Sequence, residues 1–452
     1  MLKIIGLTAG VLLTSFSLFA QDSLSLADAI QIGLDRNFSI QIEKLNVEIA
    51  KNNNNWGEAG RYPSINLITG QNNSVLFRKP TNPFSLGGTN TVNNFANQID
   101  LEWILFNGFR VNINKSRLFE LERLSQGNVR ILVENTIQNI ILAYNIAVLE
   151  NKRLEVRNKV LKLSKERYEL VKLRRQVGSA ILFDVLQEEN AYLTDSSNVL
   201  SQTLNYRNSI RNLNELMNQD LNQEYFLTDS LTMNLTSYEL EDLNQKMLSS
   251  NSNLRNQFIN QSLLKYNTRL AQADQYPVVS LNLGANSSND RLRAPARVQE
   301  DSLGVTPSPT FSTNYGYSYG GYANLSLRFN IFNGGQIKRS IQNARVQERI
   351  GDLSIKELQL SLTNDLIQFY ELFNLRKNLV QLANANIKAA ELNVSLANDR
   401  YKNGYLSSID YRIIQLNYQN TALMSLEAIY NVIETHTDLL RITGGIIEES
   451  IE

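Results

Sequence analysis

Few residues in this sequence could perform covalent chemistry. There is no cysteine, so neither a thiolate nucleophile nor a thiolate metal site is available. The single histidine, His436, lies between Thr435 and Thr437 on a helical stretch, away from any nucleophile–base or metal-ligand spacing. It reads as a packed or solvated side chain, and the chain as no enzyme and without a cofactor. No GxxxxGK(S/T) segment is present to cradle a nucleotide's phosphates. The residues that recur at fixed spacing are of another kind. Gly178 is followed six positions on by Asp184, and 226 positions later Gly404 is followed by Asp410. Glycine in the left-handed conformation ends a helix at little cost. An aspartate in the first turn of the next helix complements its dipole. Such carboxylates do electrostatic work. Arg174, Arg175, Arg400 and Lys402 crowd the positions just before the two glycines.

The recurrence runs through the whole chain. Leu105-Phe106-Asn107-Gly108 returns as Ile331-Phe332-Asn333-Gly334, and Tyr62-Pro63 returns as Tyr276-Pro277. Each half therefore carries the same order: Tyr-Pro, apolar/polar alternation, Asn-Gly, long helix, glycine tip, return helix. A unit of about 200 residues is too long for a solenoid repeat. Two repeats, 21–236 and 237–452, are expected to interleave in one body.

The first 20 residues read as a secretory signal, with Lys3, an apolar stretch from Ile4 to Leu13, and Ala20 before Gln21-Asp22. That stretch is shorter than the ~20 residues of a spanning helix, and no later segment is expected to span as one. Lysine plus arginine balances aspartate plus glutamate at 44 each, so charge offers no argument for nucleic acid. Export without cysteine fits the periplasm or outer membrane of a Gram-negative cell.

Proline maps the elements. All seven prolines lie in two windows, Pro63 to Pro83 and Pro277 to Pro309. Proline inside a helix removes a donor and clashes with the preceding turn, so its absence elsewhere permits very long helices. Val129, Leu132, Val133, Ile137, Ile140, Ile141, Tyr144 and Val148 follow helical spacing, as do Leu358, Leu362, Leu366, Phe369 and Phe373. Residues 108–177 and 334–403 each give a helix of 70 residues, about 105 Å at 1.5 Å per residue. Four others, Ser25–Glu58, Ser179–Asn218, Tyr238–Asp274 and Tyr405–Arg441, are about half as long, so that two end to end would match one long helix.

The proline-bearing windows, 64–107 and 277–332, alternate with period two and read as hairpins. In the first, Ile99, Leu101, Trp103 and Leu105 oppose Gln98, Asp100 and Glu102. In the second, Tyr315, Tyr317, Tyr319, Ala323, Leu325, Leu327, Phe329 and Ile331 oppose Ser318, Asn324, Ser326, Arg328 and Asn330. A soluble sheet with one wet face would alternate likewise. A membrane barrel adds the interfacial tyrosines. Four strands cannot close a barrel, and an open edge is not tolerated in lipid. Strands in a membrane would have to be pooled by several chains.

Together the signal, the duplicated halves, Tyr-Pro before the strands, Phe-Asn-Gly after them and the Gly-x5-Asp turns resemble the TolC-like outer-membrane efflux proteins over essentially the whole mature chain. The resemblance implies a mainly α fold with membrane β: a homotrimer with a 12-stranded β-barrel in the outer membrane, continuing into a long α-helical barrel in the periplasm. Residues 221–237 and the tail after Gly444-Gly445 would form an equatorial belt. The partners implied are outer-membrane lipid, a periplasmic adaptor protein and, through it, an inner-membrane transporter. By resemblance Gly178 and Gly404 mark the periplasmic tips. Tyr401 would lock the closed state onto Asp184, and Asp410 would supply an inward ring of carboxylates that narrows the pore. Two positions depart from the family: its locking arginine is Leu406 here, and a second aspartate is Ile413, making that ring apolar. Arg174, Arg175, Arg400 and Lys402 would meet the adaptor. The function implied is a passive exit duct for efflux or type I secretion, gated at its tip. The alternative is a helical adhesin or periplasmic scaffold, which leaves the tyrosine-rich hairpins without purpose.

Overall fold

A computed structural model describes residues 22–79, 81, 87–233, 236–296 and 310–449. The proposed signal and the two hairpin tips lie wholly or partly outside them. The elements run β1 (Asp22–Leu24), α1 (Leu26–Arg36), α2 (Phe38–Asn53), β2 (Ser64–Arg78), β3 (Gly88–Asn107), α3 (Arg110–Gln176) and α4 (Leu182–Leu216). They continue with β4 (Tyr225–Leu227), α5 (Leu240–Ser250), α6 (Ser252–Ala273), β5 (Val278–Ala296), β6 (Thr310–Arg328), α7 (Gln336–Lys402), α8 (Ser408–Ile442) and α9 (Ile446–Glu449). The halves interleave, but into two compact units where one was expected. The first takes residues up to Glu43, Val129–Leu254 and everything from Leu358; the second takes Lys44–Asn128 and Arg255–Glu357.

Each long helix, α3 and α7, has 67 residues. The half-length helices that precede the hairpins are broken, contrary to the uninterrupted Ser25–Glu58 and Tyr238–Asp274 read from the sequence. Asn37 and Asn251 leave the helical region at ψ 121° and end α1 and α5. Each side chain then starts the next helix. Asn37 Oδ1 accepts from the backbone N–H of Ser39 (2.9 Å) and Ile40 (3.2 Å), and Asn251 Oδ1 from that of Leu254 (2.9 Å). Their Nδ2 groups donate to equivalent carbonyls at the ends of the return helices, Leu216 (3.3 Å) and Ile442 (2.9 Å). One asparagine thus closes one helix, caps another and satisfies a third.

In the first unit β1 pairs parallel with β4. Beneath this pair lies a core of Leu24, Ile30, Ile137, Ile140, Tyr144, Leu213 and Met217. The Tyr144 hydroxyl lies 2.8 Å from Asp229 Oδ2 and 2.9 Å from the Leu24 carbonyl. An 18-residue window of α3 reaches a mean hydropathy of 1.3, contrary to the expectation that no later segment would qualify as a span. Ile137, Ile140 and Tyr144 of this helix are core residues of the first unit, which accounts for the apolar run. Two apolar stripes have no cover among the described residues. Leu186, Leu193 and Leu200 of α4 recur every seven residues and are 54%, 57% and 73% exposed. Leu375, Leu382, Ala389 and Leu396 of α7 repeat that spacing and are exposed as well.

The second unit holds an antiparallel sheet in the order β2-β3-β5-β6. Its odd-numbered face carries Ile65, Leu67, Ile99, Leu101, Trp103, Leu281, Leu283, Leu325 and Leu327. The other face carries Asn66, Asp100, Glu102, Asn282, Asn324 and Ser326. Ser280 with Ser326 (2.7 Å) and Ser288 with Ser318 (2.8 Å) bond across the polar face. Tyr322 lies across Gly284, where a Cβ would meet its ring at 2.4 Å, and its hydroxyl donates to Asp100 two strands away. Two details differ from the sequence reading. A register shift between Ile104 and Phe106 sets Phe106, not Leu105, opposite Val279. β6 stops at Arg328, so Phe329 and Ile331 are not strand residues.

Candidate gate at the helix tips

The two glycine turns are built alike. Gly178 and Gly404 both adopt φ 78°. The Ser179 N–H bonds the Arg174 carbonyl (2.8 Å) and the Gly178 N–H that of Arg175 (3.0 Å). In the second half Tyr405 bonds Arg400 (2.9 Å) and Gly404 bonds Tyr401 (3.1 Å). Each is a Schellman closure, which satisfies the last carbonyls of α3 and α7. A Cβ at either glycine would meet nothing within 4 Å, so glycine is needed there for backbone conformation alone.

The aspartates open the return helices. Asp410 Oδ2 accepts from Ser407 Oγ (2.7 Å), while the Asp410 N–H donates back to that Oγ (3.1 Å). Asp184 Oδ2 accepts from the Ile181 N–H (3.2 Å), but Ile181 has no side-chain acceptor to return the bond. Asp410 is exposed, and so is Ile413 one turn later, at 59%. The chain does not bond Tyr401 to Asp184. The Tyr401 ring is 2% exposed, stacked on Tyr411 at 5.2 Å and covered by the Arg174 guanidinium at 5.3 Å. Its hydroxyl is buried without a partner in hydrogen-bonding geometry. Burial raises the phenol's pKa, with Glu188 adding to the rise while Ser408, Arg174 and Arg167 oppose it.

The basic residues divide. Arg174 Nη2 donates to the carbonyls of Tyr401 (3.2 Å) and Lys402 (3.4 Å), tying the end of α7 to α3. Lys402 pairs with Glu166 at 3.8 Å with both side chains about half exposed, a contact worth little in water. Arg175 and Arg400 are exposed. Arg174 thus caps the end of α7, and Arg175 and Arg400 present their charge to solvent.

Sequence reading missed a buried ionic network beneath the tips. Arg412 of α8 forks onto Asp195 of α4, with Nη1–Oδ2 at 2.6 Å and Nη2–Oδ1 at 2.9 Å. The Asp195 side chain is 2% exposed and also accepts from Ser164 Oγ of α3. Gln415 Nε2 donates to the Val160 carbonyl (2.9 Å) and to Ser164 Oγ (3.1 Å). Nearby, Arg167 Nε stands 3.0 Å from Glu188 Oε2, with both side chains at most 3% exposed. No nitrogen of Arg167 is in hydrogen-bonding geometry, and its guanidinium lies over the Tyr411 ring at 5.0 Å. Ser408 Oγ donates to Glu188. Burial raises the Glu188 carboxyl against the pull of Arg167, and burial likewise lowers the Arg167 guanidinium against the pull of Glu188. The only sequence signal was helical spacing: Arg412 falls four residues after Ser408, on the side of α8 turned from Asp410 and Ile413.

His436 is packed in a three-ring cluster with Tyr238 (5.8 Å) and Phe373 (5.6 Å), with Nε2 2.7 Å from the Tyr238 hydroxyl. Among the described residues no group of three or more His, Asp or Glu is placed to hold a metal ion.

Residues 243–445 match the family model described as outer membrane efflux protein. No curated protein matches the chain. Solved structures do, at low identity and over nearly the full length. The CmeC outer membrane channel of Campylobacter jejuni superposes with a TM-score of 0.72 at 15% identity, covering 94% of this chain and 89% of that one. The outer membrane protein VceC of Vibrio cholerae gives 0.70 at 13% identity, covering 93% and 96%. The open state of the MtrE outer membrane channel of Neisseria gonorrhoeae gives 0.67 at 16% identity, covering 94% and 90%.

Proposed function

We propose that this TolC-like outer-membrane protein is the exit duct of a tripartite efflux or type I secretion system, working as a homotrimer that conducts substrates passively. The observation that carries the proposal is the sheet of the second unit. One of its faces carries exposed apolar rows that include Ile65, Leu67, Ile99, Trp103, Leu325 and Leu327, and its outer strands β2 and β6 each pair on one side only among the described residues. Unpaired strand edges in hydrocarbon are costly. Three copies pairing β6 of one with β2 of the next give a closed ring of twelve, an even number within the range of membrane barrels. The uncovered heptad stripes of α4 and α7 support the same assembly, since a seven-residue apolar repeat is a seam for another helix.

The gate in this reading lies at the start of α8. Three copies of Asp410 facing an axis would repel one another and favour cations, and Ile413 would add an apolar collar one turn deeper. Tyr401 and Asp184 act as a lock only in a state other than the one described, in which the tyrosine leaves its stack on Tyr411. Arg175 and Arg400, with Lys402, are the charges open to a periplasmic adaptor, through which an inner-membrane transporter would supply energy and selectivity.

Single-channel conductance in a planar bilayer tests this. Wild type is expected to show a small, cation-preferring conductance that rises in Asp410→Ala. Asp410→Asn, which can keep the bond to Ser407, separates loss of charge from loss of the helix cap. Equal conductances would move the constriction to Ile413, and none from any of the three would return the chain to the scaffold reading. Crosslinking should stop at trimer; a stable detergent monomer would end the pooled-barrel argument.

A further inference from the structure

Among the described strand residues, the odd-numbered face of the sheet bears two charges and no carboxylate. Both charges are arginines, Arg291 and Arg293, and both stand toward the loop end of β5. The register places Arg291 opposite Tyr315 and Arg293 opposite Thr313. Below them on β6 follow Tyr317 and Tyr319, then Ala323, Leu325 and Leu327. The guanidinium of Arg293 lies 4.8 Å over the Phe311 ring and that of Arg291 5.8 Å over Tyr315.

The depth of this pair follows from strand geometry. Ten residues separate Leu327 from Tyr317, about 33 Å along a strand. At a tilt of about 40° this is roughly 25 Å of height, the thickness of the apolar band of an outer-membrane barrel. Tyr315, Tyr317 and Tyr319 then form the aromatic margin at the loop end, with Arg291 level with Tyr315 and Arg293 one row past it. A guanidinium is tolerated at that level and costly at mid-depth. Stacking engages the face of a guanidinium and leaves its edge donors for a planar, bidentate acceptor.

We propose that Arg291 and Arg293, held over Tyr315 and Phe311, bind a phosphate on the headgroup of an outer-leaflet lipid. The occupant is a lipid rather than free phosphate because, below a margin of Tyr315, Tyr317 and Tyr319 interspersed with Asn289, Ser287 and Asn97, the same face turns apolar at Leu283, Leu281, Leu325 and Leu327 and would meet acyl chains. The inference rests on the duct reading in two respects, that the sheet spans the outer membrane and that its loop ends point outward.

Native mass spectrometry of the detergent-solubilised protein, titrated with lipid A, phosphatidylglycerol or phosphatidylcholine, tests it. Wild type should retain the two anionic lipids over phosphatidylcholine by at least about tenfold. Arg291→Gln with Arg293→Gln should lower lipid A affinity by about thirtyfold, roughly tenfold or less for each charge at an anionic surface. Both sites are exposed, so the variant should fold, as heat-modifiable migration would verify. An undiminished preference in the folded variant overturns the proposal. So does displacement of lipid A by inorganic phosphate at equal concentration, which would make this a free-anion site. Conductance separates the two readings: a conducting protein without lipid preference loses this site alone, and a non-conducting one that keeps it loses the duct alone.

Discussion

Replacing Arg412 with leucine removes both arms of its fork on Asp195 and leaves that carboxylate, 2% exposed, with the Ser164 hydroxyl as its remaining contact. Breaking a buried pair from one side costs about 3–5 kcal/mol, most of it the desolvated charge left behind. Removing both partners behaves differently. Asp195→Leu with Arg412→Leu abolishes the buried charge, and such exchanges run from about neutral to about 4 kcal/mol stabilising. The assay is native-state hydrogen exchange, which reads local opening in a protein whose global unfolding is slow. In Arg412→Leu the amides of 408–418 and 188–199 should lose protection by about a hundred- to a few-thousandfold, while β2, β3, β5 and β6 keep theirs. The double variant should restore most of it. If it exchanges as fast as the single variant, Arg412 acts by packing and the electrostatic argument is wrong. An unchanged single variant would mean that the fork contributes nothing.

Asn251→Ala removes a helix cap and the donor to the Ile442 carbonyl at a site 3% exposed, and should cost about 2–4 kcal/mol. Its half-buried counterpart Asn37→Ala should cost less, because its bond to Leu216 is longer at 3.3 Å; thermal scans at one fixed rate would compare them, and a reversed order would reject the bond-by-bond account. Burial raises the Asp438 carboxyl above its ordinary 3.8, with Glu434 adding to the rise while Arg441, Gln138 and Arg376 oppose it. A raised carboxyl contributes stability that is full below about 3.8 and is lost as pH rises through the folded value. Asp438→Asn, which can still accept from Gln138 Nε2 (2.7 Å in the native chain), should therefore be the more stable protein above that window and lack this part of the pH dependence. Identical pH profiles would show the carboxyl to be solvated.

Much of the fold was legible because its signals are local and repeated. Proline placed the hairpins, alternation placed their two faces, and the left-handed glycines at 178 and 404 placed the tips. The helix breaks at Asn37 and Asn251 were not legible. Asparagine is only mildly unfavourable inside a helix, and what recruits each one is a carbonyl contributed by a helix about 180 or 190 residues away. The bulge in β3 was hidden for a related reason: Leu105 and Phe106 are both apolar, so exchanging the one that faces outward leaves the pattern unchanged. At the tips, sequence found both carboxylates but not their anchoring. Ser407 supplies a second cap bond in the second half, where the first half has Ile181.

The buried network shows where a repeat stops being informative. Arg167, Glu188 and Asp195 all belong to the first half, and the equivalent positions 226 residues on are Asn393, Ile414 and Thr421. The second half answers with Ser408 and Arg412, whose own equivalents, Leu182 and Leu186, are apolar. The duplicated helices are thus complementary where they are not alike: α4 supplies buried carboxylates, and Ser408 and Arg412 of α8 meet them beside Ser164 and Arg167 of α3. These contacts tie the start of α8 to α4. Ser408 and Arg412 lie one turn apart on the buried side of α8, and Asp410 and Ile413 lie in the same turns on the exposed side. Rotating or drawing back the start of α8 would carry the exposed pair and strip the buried pair from Glu188 and Asp195 together. On the duct reading, these buried contacts would add to the cost of opening. A leaky channel should follow from Arg412→Leu, although the carboxylate it loses, Asp195, is buried within the chain.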